Sequence, residues 1–203
     1  MKLVGPWISG FTRRTGITMK LLGMPFEHLS LDAYVDREEI RRYSPMGKVP
    51  ALVLDTGEVL IDSAGIIDVL YELAGPDKAL VPPSGAARLK ALQLIGIGLN
   101  IYPKLTALYE ESLRPQSYQL QSVFERLAEQ AIIGLKQLEA EAGDGWLVND
   151  TLSQADIMTV VSYQGASMIV LRDHVTAKNF PRLAALTERA MKIEAFASTV
   201  PLL

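Results

Sequence analysis

A segment rich in glycine and proline, GPDKALVPPSGAA at residues 75–87, divides this 203-residue chain into two parts with different patterns. Glycine and proline interrupt helices and strands alike, so no regular element should continue through it. Short apolar runs alternate with helical stretches before it, whereas only helical spacing follows it. We therefore predict an α/β domain at residues 1–76, a linker at 77–85 and an all-helical domain at 86–203.

The first 76 residues predict the element order β-α-β-α-β-β-α. The run KLVG indicates a short strand, and PFEHLSL alternates apolar and polar residues as a half-buried strand does. The stretch GKVPALVLDTGEVLIDSAG, at residues 47–65, indicates two further strands joined by the turn DTG and followed by a helix. The first strand–helix–strand unit should be parallel and the last two strands antiparallel, which gives a small mixed sheet packed against helices.

Helical patterns fill the second part of the chain. Residues 86–113 are compatible with a long helix, which Pro103 and two nearby glycines should bend or interrupt. The segment TLSQADI contains the clearest helix start of the chain. Ser153 is the expected N-cap, and Asp156 can accept a hydrogen bond from the backbone N–H of that cap.

Charge and residue content exclude several kinds of chemistry. The net charge is −3 and no basic cluster exceeds a pair, which argues against nucleic acid as a partner. The absence of cysteine excludes disulfides, thiolate metal sites and a cysteine nucleophile. The two histidines, His28 and His174, lack a nucleophile-elbow context, and we expect both on the surface, with no bound metal. No apolar run approaches the roughly 20 residues of a membrane span, so we expect a soluble, cytoplasmic protein.

Four motifs, taken together and in order, resemble the cytosolic glutathione S-transferase family. They are SGFTRR at residues 9–14, SPMGKVPAL at 44–52, LIDSAGI at 60–66 and WLVNDTLSQADI at 146–157. Each is weak alone, but their spacing extends the resemblance over nearly the whole chain. It implies a thioredoxin-like N-terminal domain, an all-helical C-terminal domain, glutathione as co-substrate and a homodimer. The implied reaction is conjugation of the glutathione thiolate to a small hydrophobic electrophile, as in detoxification.

The resemblance also implies five glutathione-binding residues. Pro50 is cis in the family, which turns the backbone of Val49 outward to pair with the cysteinyl residue. Lys48 would contact the glycyl carboxylate, while Ser63 and the helix start would bind the γ-glutamyl carboxylate and Asp62 the ammonium. The residues alone leave other roles open: a trans proline opening a strand, a solvated lysine and two capping residues. Relatives often have Glu or Gln where this chain has Asp62.

Ser9 is the candidate catalytic residue. In serine-type relatives, the hydroxyl at this position donates a hydrogen bond to the glutathione sulfur and so favours the thiolate, which is the nucleophile. Its place before a predicted helix is equally typical of an N-cap. Gly10 stands where these relatives have proline, which loosens the loop. Because the chain lacks cysteine, the disulfide chemistry of cysteine-type relatives is closed to it.

Aromatic and apolar residues near Ser9 and after the linker are candidates for the electrophile pocket, although aromatic residues at helical spacing more often form core. The candidates are Trp7, Ile8, Phe11, Tyr102 and Tyr109. Either tyrosine, Tyr109 more readily, is an alternative hydroxyl donor to the sulfur. Two other functions stay open: a glutathione-dependent isomerase or lyase, and a non-catalytic member that binds glutathione or a protein partner.

Overall fold

The computed structural model describes residues 1–201, whose contacts divide the chain into two compact units. The N-terminal unit contains residues 1–80 together with the segment that begins at Lys192, and the helical unit is Val81–Met191. The C-terminal segment, which the sequence pattern assigned to the helical domain, therefore makes its contacts within the N-terminal unit.

A four-stranded mixed sheet forms the centre of the N-terminal unit. Its spatial order is β2-β1-β3-β4. As predicted, β1 and β2 are parallel and β3 and β4 antiparallel; β3 is also antiparallel to β1. The strands are β1 (Lys2–Val4), β2 (Glu27–Leu29), β3 (Ala51–Val53) and β4 (Val59–Ile61). The parallel pair requires the crossover through a helix, whereas the DTG turn joins the antiparallel pair directly.

Helices α1 (Gly10–Leu21), α2 (Arg37–Arg41) and α3 (Ser63–Ala74) complete the predicted β-α-β-α-β-β-α order. Apolar side chains of α1 and α3 pack on the sheet, and the fully buried members of this core are Leu3, Met19, Leu52, Ile66 and Leu70. The start of α3 and the loop before β3 are thereby held at one end of the sheet, where the candidate site lies.

Four longer helices and one π-helical turn form the helical unit. They are α4 (Gly85–Ser112), α5 (Gln121–Glu141), α6 (Gln154–Gly165), the π-helical Ala166–Val170 and α7 (Pro181–Ala190). Of the two outcomes predicted at Pro103, a bend or an interruption, the interruption does not occur, since α4 continues through it. Close packing of α4 against its neighbours compensates for the cost of the proline. A Cβ added at Gly98 would lie 2.6 Å from Cγ of Met158 on α6.

The C-terminal segment adds a short helix, α8 (Glu194–Ala197), to the N-terminal unit. Phe196 is fully buried. Arg13 of α1 is also buried; its Nε donates to Oγ1 of Thr199 at 3.3 Å, and its Nη2 donates to the carbonyl of Phe196 at 3.5 Å. Arg13 thus has a structural role, fastening α1 to the end of the chain.

No helix within residues 1–201 combines the length and apolar character that crossing a membrane requires. In the same part of the chain, no group of three or more histidine, aspartate or glutamate side chains is arranged to hold a metal ion.

Candidate functional site

A cleft of about 210 Å³ opens in the N-terminal unit at the start of α3. One wall is the loop before β3, another is the junction of β4 and α3, and α1 contributes an aromatic ring. The lining residues are Phe11, Ser44, Met46, Lys48, Val49, Pro50, Ile61, Asp62 and Ser63. All five residues predicted to hold the ligand therefore line one cleft, although the two sequence segments that carry them are separated by the β3–β4 hairpin.

The loop before β3 presents an unpaired backbone edge to this cleft. The Val49–Pro50 bond is cis, as the resemblance implied. Pro50 is buried, and neither the N–H nor the C=O of Val49 hydrogen-bonds to any part of residues 1–201. Backbone polar groups need partners, so an adjacent free donor and acceptor suit an extended peptide that pairs as an added strand.

Ser44, which the sequence reasoning missed, fixes the same loop. Its side chain is fully buried, and its Oγ accepts a hydrogen bond from the backbone N–H of Lys48 at 3.2 Å, while its carbonyl accepts from Gly47 at 2.8 Å. The Lys48 side chain remains exposed at the cleft. Only the position of Ser44 four residues before Lys48 could have indicated this local contact.

Asp62 and Ser63 form the start of α3. Asp62 is the N-cap: its Oδ1 accepts from the backbone N–H of Ala64 at 2.8 Å, and its φ of 72° lies in a region that aspartate tolerates better than most residues. Its other carboxylate oxygen has no hydrogen-bond partner within residues 1–201. The helix start offers partial positive charge and free N–H groups beside it.

Arg14 lies behind Ser63 in the interior of the unit. Both side chains are buried, and Nη1 of Arg14 donates to Oγ of Ser63 at 3.3 Å. Burial lowers the pKa of Arg14, while Tyr71 and Asp62 raise it; an arginine nevertheless stays protonated. A buried positive charge thus supports the start of α3. The two residues are 49 positions apart in the sequence, so no local pattern indicates this pair.

Ser9 caps α1. Its Oγ accepts from the backbone N–H of Thr12 at 3.4 Å, and its own N–H donates to the carbonyl of Pro6 at 3.1 Å. This is the capping role that the sequence left open. The contact uses the hydroxyl as an acceptor only, so its hydrogen remains available to donate. Ser9 is not among the residues that line the cleft, but Phe11 is.

Trp7 is fixed between β2 and α1. Its ring stacks on that of His28, with 3.7 Å between the centroids and 17° between the planes. A Cβ added at Gly16 of α1 would lie 2.4 Å from Cζ3 of Trp7, so the indole occupies the space that this glycine leaves. His28 is partly exposed but is not a freely solvated surface residue, since its Nε2 also lies 2.8 Å from the carbonyl oxygen of Gly5.

The two tyrosines predicted for the electrophile pocket lie on α4 in the helical unit. Tyr102 is buried, and its ring lies against Gly165, where an added Cβ would meet Cε2 of the tyrosine at 2.9 Å. Tyr109 is half-buried. Tyr102 is therefore part of the core of its unit, which was the alternative interpretation. Ile8, in the N-terminal unit, is half-buried.

Comparison with known proteins gives matches over most of the chain. Residues 3–78 match the family description "Glutathione S-transferase, N-terminal domain", and residues 102–198 match "Glutathione S-transferase, C-terminal domain". An uncharacterized GST-like protein of Escherichia coli (strain K12), YibF, is 30% identical over 99% of this chain and 98% of its own length. Maleylacetoacetate isomerase of Pseudomonas aeruginosa is 29% identical over 99% and 96%.

A solved structure extends the comparison to the fold. A glutathione S-transferase from Methylobacterium radiotolerans, crystallised in complex with glutathione sulfonate, superimposes with a TM-score of 0.92 over 100% of this chain and 95% of that chain. The two sequences are 24% identical, so this likeness concerns the fold.

Proposed function

Because the chain belongs to the glutathione S-transferase family, we propose that its cleft binds glutathione and that the bound thiolate attacks a small hydrophobic electrophile. The proposal rests on one observation: a single cleft contains both an unpaired backbone edge and groups that complement the two ends of this tripeptide. Fold similarity alone would not support it, since one fold serves many functions.

Each part of glutathione has a complementary group. The backbone of Val49 pairs with the cysteinyl residue, and the exposed ammonium of Lys48 faces the glycyl carboxylate. The γ-glutamyl end carries a carboxylate and an ammonium on one carbon. Ser63 accepts from Arg14, so its own hydroxyl hydrogen is available for that carboxylate, and the free oxygen of Asp62 takes the ammonium.

Ser9 is the proposed activating residue. The thiolate is the nucleophile, and a hydroxyl that donates to the sulfur stabilises the thiolate over the thiol. The positive end of α1 acts in the same direction. Proton loss to solvent suffices, so no general base is assigned. We assign Phe11, which lines the cleft, as a contact of the electrophile.

Glutathione binding is tested by thermal unfolding. At a hundredfold excess over Kd, a ligand stabilises the folded state by about 2.7 kcal/mol, which corresponds to a rise in Tm of roughly 5–10 °C for a chain of this size. Glutathione should produce this rise, and the γ-glutamyl-cysteine dipeptide, which lacks the carboxylate that faces Lys48, should produce a smaller one. An unchanged Tm at millimolar glutathione would refute the proposed binding site.

Catalysis is tested with a generic aryl halide as electrophile. Hydrogen bonds to charged groups contribute about 1.5–3 kcal/mol, so Ser9→Ala should raise the pKa of the bound thiol by about 1–2 units and reduce kcat accordingly. Ser9→Thr, which keeps a hydroxyl and a capping oxygen, is the matched control and should retain most activity. If Ser9→Ala keeps full activity, Ser9 is not the activating residue and another hydrogen-bond donor, such as a backbone N–H, takes its place.

A glutathione-dependent isomerase is the second candidate, favoured by the 29% identity to maleylacetoacetate isomerase over 99% of this chain. In that reaction glutathione adds to the substrate and leaves again. Mass spectrometry of the products distinguishes the two, because an isomerase returns glutathione unchanged whereas a transferase consumes it. Binding without turnover of either kind would indicate a non-catalytic member of the family.

We further propose a cytoplasmic homodimer, which rests on the family resemblance. Light scattering coupled to size-exclusion chromatography should give twice the chain mass of 22.3 kDa. A mass of one chain at micromolar concentration would exclude the dimer.

A further inference from the structure

The loop Gly5–Ser9, here termed the Ser9 loop, connects β1 to α1 and carries the proposed activating hydroxyl. Three backbone hydrogen bonds involve it: the N–H of Gly5 donates to the carbonyl of Leu29 at 2.9 Å, the N–H of Ser9 donates to the carbonyl of Pro6 at 3.1 Å, and the carbonyl of Ser9 accepts from the N–H of Arg13 at 2.8 Å. The residue after Ser9 is Gly10, whose backbone no side chain restricts. The position of Ser9 therefore depends on contacts that the loop makes with the rest of the N-terminal unit.

His28 of β2 makes two of these contacts. Its Nε2 lies 2.8 Å from the carbonyl oxygen of Gly5, and its ring stacks on that of Trp7 at 3.7 Å. A carbonyl only accepts, so Nε2 carries the hydrogen in this contact. One side chain thus holds both the main chain at the start of the loop and the side chain at its middle.

Close packing of Trp7 and of Gly5 leaves the loop little freedom to shift while these contacts persist. The indole lies against Gly16 of α1, where an added Cβ would meet Cζ3 at 2.4 Å. A Cβ added at Gly5 would lie 2.4 Å from Oγ1 of Thr12 and 2.8 Å from Cβ of Val49. The loop is thus packed tightly against α1 and against the residue whose backbone faces the cleft.

We propose that His28 is a positioning residue for Ser9: its hydrogen bond to Gly5 and its stacking on Trp7 hold the Ser9 loop so that the hydroxyl meets the glutathione sulfur. This rests on the proposed function of Ser9. His28 touches none of the reacting atoms and acts only through the loop. Its removal should therefore affect activation of the thiol more than affinity for glutathione, whose assigned contacts lie on other segments.

Two variants separate the two contacts. His28→Phe keeps a flat ring on Trp7 but removes the donor to Gly5, and His28→Gln keeps an N–H donor but removes the ring. His174→Phe, at the exposed second histidine, is the matched control. Each variant is compared with the unmodified full chain by amide hydrogen exchange of the loop, by the pKa of bound glutathione from the ultraviolet absorbance of its thiolate, and by kcat and KM.

The hydrogen-exchange result tests the loop directly, independent of catalysis. Loss of one hydrogen bond corresponds to a change of about five- to tenfold in a local opening equilibrium, so the Ser9 amide should exchange about that much faster in His28→Phe. His174→Phe should leave it unchanged. Unchanged exchange in both His28 variants would overturn the proposal, whatever the enzyme does.

The thiol measurement tests whether His28 acts through Ser9. In His28→Phe the pKa of the bound thiol should rise by about half a unit to one unit, and kcat should fall with little change in KM. In a Ser9→Ala background the same substitution should cause no further rise. An equal rise in that background would overturn the proposal. Absence of glutathione binding in the unmodified chain would instead refute the proposed function, and no pKa change in Ser9→Ala alone would refute the role of Ser9.

Discussion

Replacement of Asp156 tests how the helical unit is held together at the start of α6. Asp156 is fully buried and accepts three hydrogen bonds: from the backbone N–H of Leu147 at 2.8 Å, from the backbone N–H of Ser153 at 2.8 Å and from Oγ of Ser153 at 2.9 Å. Ser153 in turn accepts from the N–H of Ala155, completing the capping box that the sequence predicted.

The expected loss of stability follows from the donors left behind. Asp156→Ala removes the acceptor of two backbone N–H groups, and a buried donor without a partner costs about 1–3 kcal/mol. Ser153 is buried, so leaving its N–H without a partner costs the full amount. Leu147 is half-buried, so water can hydrogen-bond to its N–H and reduce the loss. We expect Asp156→Ala to lower the free energy of unfolding by about 2–4 kcal/mol. Asp156→Asn keeps one acceptor oxygen and should lose about half as much.

Urea unfolding followed by circular dichroism measures this difference. Asp173→Ala is the matched control, because Asp173 is exposed and has no hydrogen-bond or ion-pair partner within residues 1–201; it should change the stability by less than about 0.5 kcal/mol. A loss below 1 kcal/mol in Asp156→Ala would refute the reasoning, since it would mean that water satisfies both donors.

The pH dependence of the same variants provides an independent check. Burial raises the pKa of Asp156 above its ordinary value of 3.8, although the hydrogen bonds from Leu147 and Ser153 lower it in part. The folded state therefore binds the proton more tightly than the unfolded state, and this stabilisation is complete below 3.8 and lost as the pH rises through the folded pKa. The difference in free energy of unfolding between the unmodified chain and Asp156→Asn, which does not titrate, should therefore shrink as the pH rises above 3.8. A difference that grows with pH would contradict the assignment.

Three further substitutions test other parts of the N-terminal unit. Phe196→Ala should lower the free energy of unfolding by about 3–5 kcal/mol in urea, because this ring is fully buried; a loss below about 1 kcal/mol would show that the C-terminal segment is dispensable. Gly16→Ala should destabilise by about 1–3 kcal/mol through its clash with Trp7, whereas Gly65→Ala, with nothing within 4 Å of the new Cβ, should stabilise slightly; equal effects would refute the clash. Asp62→Asn keeps the capping oxygen but loses the charge, so KM for glutathione should rise several-fold; an unchanged KM would remove the ammonium contact.

The fold was predictable where it depends on local pattern. Apolar alternation, helical spacing and turn residues gave the strand and helix order, and the capping box at Ser153 was visible as a seven-residue motif. The uninterrupted course of α4 through Pro103 was not predictable, because packing between helices, which no local rule contains, decides whether a helix tolerates a proline. The assignment of α8 to the N-terminal unit depends on Arg13 and Thr199, which are 186 residues apart, and no pattern in one sequence indicates such a pair.

The candidate site shows the same division between local and distant contacts. Lys48, Val49, Asp62 and Ser63 belong to short motifs, so resemblance could name them. The supporting contacts join residues that are distant in sequence. Arg14 donates a hydrogen bond to Ser63, 49 residues away, and His28 donates one to the carbonyl of Gly5, 23 residues away. Neither this arginine nor a histidine in a strand carries a sequence signal that identifies its partner before the chain folds.

Structural and functional interpretations of the same serine need not compete. Oγ of Ser9 accepts from Thr12, and Oγ of Ser63 accepts from Arg14, yet a hydroxyl that accepts still has one hydrogen to donate. In both residues the intramolecular contact uses the hydroxyl oxygen as an acceptor, whereas a ligand sulfur or carboxylate would accept the hydroxyl hydrogen. A capping contact observed without ligand is therefore no argument against a role in binding. It also orients the oxygen, which lowers the entropy lost when the donor engages. For this reason a Ser-to-Thr variant, which keeps both capacities, is the control that an alanine variant requires, since alanine removes the capping acceptor together with the donor.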